Sequence, residues 1–179
     1  MTETAIAGGF RRTLVLGGAR SGKSRYAEML ITALPPPWIY VATAEPRDAE
    51  MAQRIARHRA ERDKRWEIVE VPHALPQAIA STAQTSPLLI DCLTLWLSNR
   101  MLANADIAGE TGELEAALDR RPGPIVLVSN EVGSGIVPDN ALARRFRDLQ
   151  GQLNQRLAAR VERVVLLVAG LPLIVKGAL

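Results

Sequence analysis

Short apolar runs recur along the chain, separated by longer segments with helical spacing. The runs fall at residues 13–16, 38–41, 88–90, 125–128 and 164–168. Their apolarity is continuous rather than alternating, which predicts strands buried on both faces, as in a parallel sheet. Glu67-Ile68-Val69-Glu70-Val71 alternates instead and predicts a more exposed strand. Helical periodicity predicts a helix over 24–34 and another over 49–62, where Met51, Ile55, His58 and Arg62 share one face. A third is predicted over 141–160, with Leu142, Phe146, Leu149, Leu153 and Leu157 along one stripe. The polar, glycine-containing stretch 103–112 reads as a surface loop. Residues 1–11, with Gly8-Gly9 and no periodicity, read as a flexible leader. Strand and helix alternating in this way make βαβ units with right-handed crossovers. One α/β domain over 12–179 is the expectation.

Composition narrows the class. The 179 residues are 47% hydrophobic and 23% charged, which excludes a disordered or fibrous chain and leaves enough apolar side chain for a core. Aromatics are only 4%, so that core must be built from Leu, Val, Ile and Ala. The net charge of +3 is dispersed, without the basic stripe of a nucleic-acid binder, and no nucleic-acid partner is expected. Cys92 is the only cysteine, which excludes an internal disulfide and a cysteine zinc cage and points to a reducing, cytoplasmic setting. No apolar run approaches the ~18–20 residues of a membrane helix.

The sharpest chemical signal is Gly17-Gly18-Ala19-Arg20-Ser21-Gly22-Lys23-Ser24, which fits G-x-x-x-x-G-K-[ST] between a predicted strand and a predicted helix. Glycines there let backbone N–H groups turn toward a polyphosphate, and the helix adds its positive end. Lys23 would reach the β- and γ-phosphates and the Ser24 hydroxyl would bind Mg²⁺. The expected fold is therefore of P-loop NTPase (RecA-like) type: a mostly parallel sheet flanked by helices in three layers. Asp91 ends the apolar run 88–90 and either holds the Mg²⁺ or caps a following helix. Glu131 follows the run 125–128 at the same sheet edge, where ligands of open α/β sheets bind, and either faces the site or is a solvated loop charge. A phosphate loop alone does not select among kinases, NTPases and switches.

Two histidines occur. His73, in Val71-Pro72-His73-Ala74, reads as a structural or solvent-facing turn residue. His58 sits among Arg54, Arg57, Arg59 and Arg62, a setting that attracts phosphate and favours the neutral imidazole. Read from the residues alone, it is either a half-buried helix residue or a nucleophile.

Further motifs add specificity. They are Tyr40-Val41-Ala42-Thr43-Ala44, then Asp48-x-Glu50-Met51-x-x-Arg54-Ile55-x-x-His58-Arg59 with Trp66, then Asp91-Cys92-Leu93-Thr94. Asn130-Glu131-Val132-Gly133-x-Gly135-Ile136-Val137-Pro138 and Asn154-Gln155 complete the set. With these and the phosphate loop, the chain resembles the bifunctional adenosylcobinamide kinase / adenosylcobinamide-phosphate guanylyltransferase family of cobalamin biosynthesis. The resemblance implies that ATP or GTP first phosphorylates adenosylcobinamide. It further implies that His58 attacks the α-phosphate of GTP, and that the covalent guanylyl-histidine yields adenosylcobinamide-GDP. It implies nucleotide contacts from residues 17–24, from Ala42, Thr43 and Ala44, and from Arg59, Ala60, Glu61 and Arg62. Glu70 and Asp91 match acidic positions toward the nucleotide or its metal, although Glu70 reads equally as a solvated strand charge. Some relatives carry adjacent histidines where this chain has Arg57-His58, so no role passes to a second one. The resemblance also implies a homotrimer. Two other classes compete: an NTPase coupled to a polymer partner, which the dispersed charge disfavours, and a plain small-molecule kinase, which leaves His58 without a task.

Overall fold

The computed structural model describes residues 9, 11–46, 53 and 63–177. The leader expected at 1–11, apart from residues 9 and 11, and the helix expected at 49–62, apart from residue 53, lie outside the described residues. Every apolar run of the sequence is a strand: β1 (Arg12–Gly17), β2 (Trp38–Ala42), β4 (Leu88–Asp91), β5 (Ile125–Val128) and β6 (Arg163–Val168). The alternating segment is β3 (Trp66–Glu70), and it lies at the sheet edge, which is why only one of its faces needed apolar residues.

These strands and β7 (Leu171–Lys176) form one seven-stranded sheet in the order β3-β2-β4-β5-β1-β6-β7. All neighbours are parallel except β6 and β7, which form an antiparallel hairpin turning at Ala169 and Gly170. The sequence reading did not separate β7, because its apolar residues continue the run of β6 without a break in composition.

Helix α1 (Lys23–Thr32) covers one face, packing Ala27, Leu30 and Ile31 against Val15, Leu89, Val126 and Val165. Among the described residues four helices cover the other: α2 (Leu75–Ser81), α3 (Leu93–Leu102), α4 (Ile107–Arg120) and α5 (Ala141–Arg160). Their Ile79, Trp96, Leu118, Leu153 and Leu157 bury against Leu14, Ile39, Ile90 and Leu127. The three layers are those expected.

Helix α5 has the predicted bounds, and Asn140 caps it by accepting from the Ala143 N–H at 3.0 Å. Its stripe is buried at Leu153 and Leu157, while Leu142 is exposed. The expectation of a loop at 103–112 is corrected: α4 begins at Ile107. The Asp106 carboxylate caps it by accepting from the Gly109 N–H at 3.1 Å, and Glu110 sits in the first turn where the helix dipole favours an acid. Gly109 and Gly112 weaken that turn without stopping it, because Leu114 and Leu118 anchor the helix in the core.

Candidate functional site

The sheet register brings the carboxyl ends of the strands to one level. Ala42 pairs with Glu70 on one side and with Asp91 on the other, Asp91 pairs with Val128, and Gly17 pairs with Leu167. The phosphate loop, the turn at 42–44, Glu70, Asp91 and Glu131 thus share the edge where α/β sheets bind ligands.

The phosphate loop is braced from two sides. A Cβ on Gly17 would lie 2.5 Å from the Ser21 Oγ and 2.7 Å from the Leu167 carbonyl oxygen, so only glycine lets the loop fold this tightly against β6. Arg20 and Gly22 both take left-handed conformations, φ +54° and +95°. Such alternation gathers successive N–H groups into a concavity for anions. The Gly170 N–H in the β6–β7 turn donates to the Ser21 carbonyl at 3.0 Å. Helix α1 starts at Lys23 without a side-chain cap. The buried Lys23 Nζ donates to the Gly18 carbonyl at 2.6 Å. Burial lowers the Lys23 ammonium below its usual value, an effect opposed by the Cys92 sulfur and the Asp91 carboxylate.

Asp91 ends β4, and its Oδ2 accepts from the Tyr40 hydroxyl at 3.1 Å. The capping alternative falls away: the residue at the α3 cap is Cys92, which makes no side-chain cap bond. Burial pushes the Cys92 thiol up to about 11, so it stays protonated at neutral pH and is not a nucleophile. The Asp91–Cys92 peptide is cis. Hard oxygen donors such as the Ser24 hydroxyl and the Asp91 carboxylate suit Mg²⁺, which takes few protein ligands and completes its shell with phosphate oxygens and water. Among the described residues no group of three or more His, Cys, Asp or Glu side chains is placed to hold a metal ion.

Thr43 is fully buried. Its hydroxyl donates to the Cys92 carbonyl at 2.6 Å and accepts from the Cys92 N–H at 2.9 Å. The Asn99 amide on α3 donates to the carbonyls of Thr43, at 2.9 Å, and Pro72, at 3.1 Å. Thr43 therefore fixes the 42–44 turn to Asp91-Cys92, and Ala42 and Ala44 remain partly accessible beside it. Glu70 is exposed at the far side of the same level. Glu131 sits beside the phosphate loop through its backbone, its N–H donating to the Gly17 carbonyl at 3.0 Å. Its carboxylate accepts from the Gly133 N–H and the Ser134 hydroxyl of its own loop.

Behind that loop lies a buried polar network that sequence reasoning assigned no role. The Ser129 hydroxyl donates to the Asn154 Oδ1 at 2.7 Å, Gln150 Nε2 donates to both, and the Asn154 Nδ2 donates to the Asn130 carbonyl. The Asn130 N–H donates to the Thr94 hydroxyl at 2.8 Å. The signal was present as polar residues on the inner stripe of α5, between Leu149 and Leu157. Tyr40 likewise stands in the Tyr40–Ala44 motif, where nothing in the spacing signals that its hydroxyl orients Asp91. His58, Arg59, Ala60, Glu61 and Arg62 lie outside the described residues.

Comparison with known proteins agrees with this architecture. Residues 13–175 match the family model described as cobinamide kinase / cobinamide phosphate guanyltransferase. The chain is 48% identical over 169 residues to the bifunctional adenosylcobalamin biosynthesis protein CobP of Pseudomonas aeruginosa, covering 93% of this chain and 98% of the relative. It is 42% identical to the bifunctional adenosylcobalamin biosynthesis protein CobU of Salmonella typhimurium, covering 91% and 98%. The flagellar accessory protein FlaH of Methanocaldococcus jannaschii shares the fold at a TM-score of 0.55 and 11% identity, over 97% of this chain and 80% of that one. A type III secretion ATPase of pathogenic bacteria shares it at 0.54 and 13%, over 93% and 54%. No helix among the described residues is long and apolar enough to cross a membrane. The chain is an enzyme of P-loop fold and belongs to the cobinamide kinase / cobinamide phosphate guanyltransferase family.

Proposed function

We propose that this chain phosphorylates adenosylcobinamide with ATP or GTP and then transfers GMP from GTP to the product through a covalent guanylyl-histidine at His58. The observation that carries the reading is the juxtaposition of the phosphate loop with Asp91 and the 42–44 turn on one sheet edge, in a chain of this family.

In the first step the acceptor hydroxyl of the aminopropanol arm attacks the γ-phosphorus. A new P–O bond forms, the bond to the β-phosphate oxygen breaks, the nucleoside diphosphate leaves and the hydroxyl proton passes to solvent. Lys23 exchanges the Gly18 carbonyl for the phosphates and neutralises charge on the transferring group. The loop backbone from Gly17 to Ser24 holds the chain of phosphates in line. Ser24 and Asp91 would hold Mg²⁺, which would supply neutralisation of the charge on the transferring phosphates. Tyr40 orients Asp91 for that task.

In the second step a neutral ring nitrogen of His58 attacks the α-phosphorus of GTP and pyrophosphate leaves. The phosphate installed on cobinamide then attacks the phosphoramidate, the N–P bond breaks and the histidine is regenerated. Ala42, Thr43, Ala44, Arg59, Ala60, Glu61, Arg62 and Glu70 contribute to nucleotide binding in this reading. The enzyme works as a cytoplasmic homotrimer without nucleic acid, and sedimentation of the purified chain tests the trimer.

Incubation with Mg²⁺ and GTP labelled at the α-phosphate, followed by denaturation, tests the covalent step. Acid-labile, alkali-stable label on the parent and none on His58→Ala is the expected result. Absence of label with intact γ-phosphoryl transfer to cobinamide reduces the enzyme to a plain kinase and overturns the second step.

A further inference from the structure

The carboxyl edge carries a second concavity, well apart from the phosphate loop. A cavity of about 330 Å³ is lined by His73, which follows β3, by Gln77 of α2, by Arg100 of α3, and by Glu110 and Glu113 of α4. Its walls are fixed in place. The His73 carbonyl accepts from the Trp96 indole N–H at 2.9 Å, and the Pro72 carbonyl from Asn99. The His73 Nε2 lies 2.6 Å from the Glu45 carboxylate, just past the 42–44 turn. Arg100 is held by a bidentate pair with Glu110. The sheet order sets β2 and β3 three and four strands from β1. At about 4.8 Å per strand the cavity lies roughly 15–20 Å along the edge from the phosphate loop, with Asp91 between.

Its chemistry differs from that of the loop. The lining holds one guanidinium against the two carboxylates of Glu110 and Glu113, with Glu45 adjoining, so a polyphosphate would be repelled there. Gln77 and Glu113 stand on adjacent helices, both exposed, with the Gln77 Nε2 donating to Glu113 Oε2 at a long 3.5 Å. They offer an amide and a carboxylate side by side, the pair of groups that recognises a primary amide by accepting from its N–H₂ and donating to its carbonyl. A corrinoid carries a rim of acetamide and propionamide side chains and, as alkylcobalt(III), a net positive charge. It is the one substrate of the proposed reaction that matches an acidic, amide-pairing cavity.

We infer that the His73–Gln77–Arg100–Glu113 cavity seats the far amide rim of the corrinoid, leaving the macrocycle and its aminopropanol arm together to span the sheet edge past Asp91 to the phosphate loop. The inference rests on the proposed function and names where its larger substrate lies. The surface position of Gln77 and Glu113 makes the test clean, because their truncation removes no core packing. The variant is Gln77→Ala with Glu113→Ala in the full chain.

Equilibrium dialysis against cobinamide, read by corrin absorbance, is run beside steady-state phosphoryl transfer. The expected result is a tenfold or greater weakening of cobinamide binding, with a matching rise in its KM and no rise in the KM for ATP or GTP. Undiminished cobinamide binding by the double variant overturns the cavity assignment alone. A rise confined to the KM for GTP overturns it in favour of a guanine seat. A parent chain that binds cobinamide but does not phosphorylate it counts against the proposed function and leaves the dialysis comparison standing. A parent chain that does not bind cobinamide overturns both.

Discussion

The two ends of the carboxyl edge are built differently. At the β1 end the site is made almost wholly of backbone: eight consecutive residues, three of them at positive φ, wrapped between β6 and the start of α1. At the β2–β3 end it is made of side chains from four separate segments, Glu45, His73 with Gln77, Arg100, and Glu110 with Glu113. A backbone site recognises what every nucleotide shares, its phosphates. A side-chain site recognises what distinguishes one substrate from another. Under the proposed function and cavity assignment, the difference teaches that the chain separates catalysis from selectivity by about the width of four strands.

Lys23→Ala breaks the comparison hardest on the β1 side. In the proposed reaction the Lys23 ammonium neutralises the transferring phosphoryl, and its removal is expected to lower kcat for cobinamide phosphorylation by about 10²–10³-fold. Cobinamide binding by dialysis should hardly move. Equal loss of both would mean that the two ends do not act separately.

Asn154→Ala strikes the buried support behind the loop that carries Glu131. It removes the acceptor of the Ser129 hydroxyl and the donor to the Asn130 carbonyl at once, and leaves Gln150 with Ser129 alone of its two acceptors. A loss of about 3 kcal/mol in unfolding free energy is expected. Urea denaturation measures it, and a loss under about 1 kcal/mol would show that the network is dispensable.

These residues also mark what the sequence could reveal. The phosphate loop was legible because all its parts are contiguous and its conformation demands glycine at fixed offsets. Five strands were legible because burial on both faces leaves hardly a polar residue in the runs, Thr13 being the exception. Helix α4 was not, because its start depends on one capping side chain, Asp106, against two glycines that argue for a loop. The polar network and the His73 cavity were not legible for a different reason. Ser129, Gln150 and Asn154 are ordinary polar residues until the packing of α5 on β5 excludes water from them, and no local spacing encodes that meeting. Asp91 stood between the two cases: its place at a strand end was readable, its Tyr40 partner, 51 positions away, was not.

Glu115→Gln supplies a yardstick that should affect both ends alike. Glu115 on α4 is buried and meets Arg156 and Arg160 of α5. Hydrogen bonding from Arg156 holds its carboxyl below the usual range. A carboxyl whose folded value is depressed contributes stability that is present above its unfolded value near pH 4.3 and lost as pH falls through the folded value. The parent should therefore lose stability on acidification below about pH 4.5, and the glutamine variant should show a shallower acid limb. Its cost at neutral pH is about 2 kcal/mol, reduced from the fully buried case because both arginines are partly exposed. Thermal unfolding from pH 3 to 7 checks it, and parallel limbs would remove Glu115 from the account.

The smallest effect lies at the seam between the two ends, where Tyr40 bonds to Asp91. Tyr40→Phe removes a hydroxyl and keeps the ring, whose centroid lies 6.0 Å from that of Trp66 in an edge-on arrangement. Packing is preserved, so folding stability should change by less than about 1 kcal/mol. The carboxylate of Asp91 loses one orienting donor, and if it holds Mg²⁺ the Mg²⁺ concentration for half-maximal phosphorylation should rise about fivefold, equivalent to about 1 kcal/mol. A fall in kcat at saturating Mg²⁺, with that concentration unchanged, would instead assign Asp91 to the acceptor hydroxyl. The hydroxyl of Tyr40 thus reports which neighbour Asp91 serves: the metal on the phosphate-loop side, or the substrate arm arriving from the other.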